Sequence, residues 1–74
     1  FNVKAIKTYP NPTTDYILVS GFSKEDNYTI YNISGMKVLS GTISENSKID
    51  VRNLTNGVYF LKPNNSNAIK FIKE

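Results

Sequence analysis

The chain has 74 residues, 39% hydrophobic content, a net charge of +3, and neither Cys nor His. That length holds one small domain, which buries only about 60% of its unfolded surface. The missing residue types exclude a disulfide framework, thiol or Ser–His catalysis, and a zinc site built on imidazole or thiolate.

Apolar residues come in short alternating or continuous runs bounded by Gly, Pro, Asn and Ser, and no window has helical periodicity. The first predicted strand covers residues 3–8 and is stopped by Tyr9-Pro10-Asn11-Pro12. Each proline removes an amide donor and pushes the residue before it into an extended conformation, so this segment is expected to form a stiff corner. The second predicted strand covers 15–20 and closes at Gly21. The third covers 28–33, with Tyr28 and Ile30 on one face and Thr29, Tyr31 and Ile33 on the other. Ser34-Gly35 signals a tight hairpin into a strand over 36–43, where Gly41 is expected to mark a bulge or strand end.

A polar loop then leads to a short strand over 48–51. Strands over 58–62 and 68–73 follow, the last with Ile69 and Phe71 on one face and Lys70 and Ile72 on the other. Seven short strands with turn signals every 8–12 residues are what an antiparallel sandwich requires, so the fold class is all-β, immunoglobulin- or fibronectin-like. Leu54, Gly57 and Tyr59 have the spacing of a tyrosine corner, in which the phenol bonds a backbone group a few residues upstream. The alternative is an ordinary Asn-Gly turn followed by a core tyrosine, and either makes Tyr59 structural.

Chemistry is sparse. The carboxylates Asp15, Glu25, Asp26, Glu45, Asp50 and Glu74 form no acid–base pair at readable spacing. Glu25-Asp26 lacks the Asp/Asn ladder and distal Glu of a calcium loop. The four glycines form no phosphate cradle, and four of the five tyrosines lie in strand patterns where they are expected to fill the core. The nine Lys and Arg are scattered, with no basic stripe to suggest nucleic acid. No enzyme activity, cofactor or metal is expected. No segment reads as a signal peptide or a membrane span, and the start at Phe1 suggests a domain taken from a longer protein.

Three segments together resemble the type A C-terminal sorting domain of the Por, or type IX, secretion system of Bacteroidetes. Tyr9-Pro10-Asn11-Pro12-Thr13-Thr14-Asp15 is similar to the family's opening Y-P-N-P motif. The stretch from Tyr28 to Val38 resembles its I-Y-N-x-S-G-K-x-V strand–turn–strand, with Met36 placed ahead of Lys37 as a small departure. Ile49-Asp50-Val51 through Leu54, Asn56, Gly57, Val58, Tyr59, Phe60 and Leu61 resembles its I-D-V-x-x-L-x-x-G-V-Y-F-L run. The closing Ile69-Lys70-Phe71-Ile72-Lys73-Glu74 is similar to its last strand.

The resemblance covers nearly the whole chain and makes it one sorting domain over residues 1–74, at the C-terminus of a secreted protein. It implies a signal carried by an upstream cargo into the periplasm and read there by the outer-membrane translocon. A sortase of the system then cuts upstream of Phe1, leaving the cargo on the cell surface or outside the cell. The recognition residues it suggests are Pro10, Asn11 and Pro12 in the corner, and Lys70, Lys73 and Glu74 in the last strand. Gly35, Leu54, Gly57 and Tyr59 are expected to keep the fold. Open sheet edges are expected to offer backbone groups for strand addition by a receptor. Two other readings suit a basic, tyrosine-containing sandwich: a fibronectin-like or carbohydrate-binding module of a secreted enzyme, and a structural spacer. Fold alone does not separate them.

Overall fold

The computed structural model describes residues 6–22 and 24–74, and these contain seven strands and no helix. The strands are β1 (Lys7–Tyr9), β2 (Tyr16–Ser20), β3 (Asp26–Asn32), β4 (Lys37–Ile43), β5 (Lys48–Asp50), β6 (Gly57–Pro63) and β7 (Ile69–Lys73). They form two antiparallel sheets, ordered β1-β2-β5 and β4-β3-β6-β7. The fold is the immunoglobulin-like sandwich that the strand spacing predicts.

Period-two alternation builds the core. Ile17 and Val19 from the smaller sheet meet Tyr28, Ile30, Tyr59, Leu61 and Phe71 from the larger one. Ile49, Val51, Phe22 and Ile43 close the cluster, and Ile6, Leu39 and Leu54 pack on its rim. Burying each large apolar side chain contributes about 1.5–3 kcal/mol. An exposed ion pair such as Asp50–Arg52 is minor beside that.

Two local devices are as the sequence suggests. In the β3–β4 hairpin, the Asn32 carboxamide oxygen accepts N–H bonds from Ser34 and Met36, both at 3.0 Å. Gly35 has φ 87°, a conformation that favours glycine. After β5, the Tyr59 hydroxyl donates to the Thr55 carbonyl at 2.7 Å, so the tyrosine corner is present. Gly57 has φ 157°, close to fully extended backbone. Leu54 is half-buried against the core and donates its N–H to the Val51 carbonyl at 3.1 Å.

Several expectations need correction. The strand over 3–8 is found at Lys7–Tyr9, ending where Pro10 offers no amide; residues 3–5 lie outside the described residues. Gly41 is not the bulge. The register shifts opposite Ile30 and Tyr31, which pair with Leu39 and Lys37 and leave Val38 as the extra residue. Gly41 stays in the ladder under the Tyr28 ring, where a Cβ would come within 3.0 Å of Tyr28 Cε2. Only Tyr28 and Tyr59 fill the core; Tyr16 and Tyr31 are half-buried on outward faces and Tyr9 is 43% exposed. Their strand neighbours Ile17 and Ile30 take the inward positions.

The topology sorts the loops by end. β3 and β7 run toward the end that holds the hairpin tip, the segment 12–15 and Glu74. Ile6 lies at the other end, beside Gly21, Phe22, Asn65 and Ser66. There Glu45 Oε1 accepts the N–H groups of Gly21 and Phe22 at 2.7 and 2.8 Å, which fixes the turn out of β2.

Candidate functional site

After β1 the chain cannot continue as a paired strand, because Pro10 and Pro12 have no N–H to give. The Tyr9–Pro10 and Asn11–Pro12 peptide bonds are both cis. The segment leaves the smaller sheet and lies along the outer edge of β7. There Asn11 Oδ1 accepts the Ile72 N–H at 3.0 Å, and Asn11 Nδ2 donates to the Lys70 carbonyl at 3.4 Å. Two residues on, Thr13 forms a parallel bridge with Lys73. Its N–H donates to the Ile72 carbonyl at 2.9 Å, and its carbonyl accepts the Glu74 N–H at 2.7 Å. Thr13 is 1% exposed, and its hydroxyl donates to the Tyr16 carbonyl at 2.5 Å, tying the segment to the start of β2.

The corner and the last strand, separated by about sixty positions, therefore form one surface. Pro10, Asn11 and Pro12 are exposed on it, as are Lys70 and Glu74. Lys73 differs. Three positions from Lys70 on an extended strand, it lies on the opposite face, as its spacing requires. That face is the inner one: Lys73 is 6% exposed, beside the buried Phe71, and its ammonium reaches the Glu74 carbonyl at 3.2 Å. Long lysine stems bury their methylenes and release the head at a rim in this way. Lys73 is therefore outside the exposed surface that carries Lys70.

The β7 edge is not open either. Asn11 and Thr13 occupy its outward groups at Ile72 and Glu74, leaving no ladder there for an added strand. The opposite edge of the larger sheet, β4, has no such cover among the described residues.

Gly35 at the hairpin tip and Leu54 in the loop before β6 act on the fold, as do Gly57 and Tyr59 in β6, which pair with Lys73 and Phe71 of β7. Two residues with clear roles, Thr13 and Asn32, carried no assigned role in the sequence. Thr13 gave no local signal because its partners are far along the chain. Asn32 stands two residues before Ser34 and four before Met36, a spacing that suits an Asx-type turn and could have been read.

A second polar cluster sits on the smaller sheet. The Tyr16 ring carries Lys48 Nζ at 4.5 Å and the Arg52 guanidinium at 5.2 Å. Arg52 also makes a two-pronged bond to Asp50, at 3.0 and 2.8 Å, and hydrogen bonds from Arg52 hold the Asp50 carboxyl down at about 2. The cluster satisfies itself, with cations, ring and carboxylate already partnered.

Among known proteins, the family model of the secretion system C-terminal sorting domain matches residues 7–74. No curated protein and no solved structure gives a significant match. The matched span runs from the first residue of β1 through the clamped end of β7, so all the contacts that join the two ends of the fold fall within it. The chain belongs to the secretion system C-terminal sorting domain family, whose members are type IX sorting signals and not enzymes.

Proposed function

We propose that this domain directs a covalently joined upstream cargo from the periplasm across the outer membrane, is read there in its folded form, and is then removed by the system's sortase. The domain acts as a substrate of that machinery and performs no catalysis. What the translocon reads, on this view, is the joint surface of Pro10-Asn11-Pro12 with Lys70 and Glu74, and Lys73 supports it from beneath. The observation that carries the reading is the clamp of Asn11 and Thr13 on Ile72 and Glu74. The surface exists only when both ends of the domain are in place, so the signal is discontinuous in sequence and ordered in space. Ile6 sits at the far end from this surface, which favours presentation away from an attached cargo.

A carbohydrate-binding module would need free tyrosine faces. Tyr28 and Tyr59 are buried, the Tyr16 ring is occupied by Lys48 and Arg52, and the remaining Tyr9 and Tyr31 lie on different sheets and share no platform. The sorting reading therefore accounts better for the surface.

The test is to fuse the 74 residues to a periplasmic reporter in a host with a type IX system. Surface or extracellular delivery is expected with the intact domain and is lost when residues 69–74 are deleted. A reporter that stays in the periplasm with the intact domain refutes the proposal.

A further inference from the structure

The outward face of the larger sheet carries a pattern that the clamp does not use. One row of neighbours crosses all four strands: Lys37 on β4 pairs with Tyr31 on β3, Tyr31 with Phe60 on β6, and Phe60 with Lys70 on β7. In the next row Val58 pairs with Ile72, which is 37% exposed. Tyr31, Val58 and Phe60 are half-buried. Tyr31, Val58, Phe60, Lys70 and Ile72 alternate with the buried Ile30, Tyr59 and Phe71, so they face away from the core, and Lys37 shares that face as the partner of Tyr31. The result is an apolar block with an exposed lysine on each side. β4, β6 and β7 carry no carboxylate, and the one on β3, Asp26, stands five positions from Tyr31 at the start of the strand, where it accepts from Asn65.

We infer that this face docks on a protein surface with an apolar centre flanked by carboxylates. Three strand spacings separate Lys37 from Lys70, which sets the flanking carboxylates about 14 Å apart. Charge complementarity selects this occupant. A second copy would bring lysine against lysine, and like-charge juxtaposition suppresses such pairing. A bilayer takes up apolar groups that project into it, whereas three of these four are half-buried among their strand neighbours. The inference rests on the sorting reading and deepens it: the partner belongs to the export machinery and covers this face beside the clamp, since Ile72 contributes its backbone to one and its side chain to the other.

The test uses the reporter fusion in the same host. The variant Lys37→Glu/Lys70→Glu is compared with Lys7→Glu/Lys24→Glu, which changes net charge equally at the exposed far end. Both are first shown to melt near the parent temperature. Delivery is expected to fall about tenfold or more in the first variant and to persist in the second. Benzoylphenylalanine in place of Phe60 is expected to crosslink, during export, to a peptide bearing Asp or Glu. Normal delivery of the first variant, equal loss in both, or a crosslink to lipid or to a second copy overturns the inference. A parent fusion that is not delivered refutes the sorting reading and this face with it. A delivered parent with a delivered first variant refutes the face, and the part of Lys70 in the joint surface with it, while the sorting reading stands.

Discussion

Replacing Asn11 with Ala removes the acceptor for the Ile72 N–H and the donor to the Lys70 carbonyl. The second contact, at 3.4 Å, is near the limit of a hydrogen bond and adds little. The loss is then one good bond on an exposed edge, about 0.5–1.5 kcal/mol. In a domain of this size a loss near 1 kcal/mol lowers Tm by about 4–8 °C. The effect is also expected to be local. Amide exchange at Ile72 should quicken about fivefold, and Glu74 should follow because its partner, the Thr13 carbonyl, is positioned by the same segment. Leu61, fully buried in the middle of the sheet, should change only as much as global stability does. Asn11→Asp keeps an acceptor oxygen and should retain most of the protection at Ile72. Exchange followed by nuclear magnetic resonance, together with a thermal melt, measures all of this. Unchanged exchange at Ile72 with a Tm shift under about 1 °C would show that Asn11 does not hold the strand.

Other outcomes follow from the same contacts. Tyr59→Phe removes the 2.7 Å bond to the Thr55 carbonyl and should cost about 1 kcal/mol in a denaturant titration, with Phe71 still stacked on the ring. Gly41→Ala places a methyl 3.0 Å from the Tyr28 ring and should destabilise by about 1–3 kcal/mol; a Tyr28→Leu background should relieve part of that loss. The Asp50 carboxyl should titrate at about 2 and return toward its ordinary value in Arg52→Ala, as followed by carboxyl chemical shifts. Because that value is depressed in the folded state, the pair's contribution is present above the ordinary aspartate range and fades as pH falls toward 2. Burial raises the Tyr28 pKa, so the fold favours its neutral phenol; stability should decline as pH rises above 10, and less steeply in Tyr28→Phe.

What could be read from the sequence was what local chemistry decides. Alternation located β2, β3, β6 and β7 to within about two residues at each end. Ser34-Gly35 marked the hairpin, and the step from Leu54 to Tyr59 marked the corner whose hydroxyl bond is present. What could not be read depends on partners distant in sequence. Nothing near Asn11 announces a bond to Ile72, 61 residues on. Alternation puts Lys73 on the face of Phe71, but nothing local says that this face is still buried at the last residue of the strand. Gly41 looks like a strand breaker in isolation, yet it serves the Tyr28 ring across the ladder. The outward Tyr31 and Phe60 look like core residues until strand phase is known, because an aromatic on either face of a strand has the same sequence signature.

The Thr13 backbone is bonded at its N–H by residue 72 and at its carbonyl by residue 74. A polypeptide broken off a few positions early would leave that buried backbone unsatisfied and the space under Phe71 unfilled. Completion of the fold thus registers that the chain has been made through residue 74, because the buried first loop closes only on that late segment.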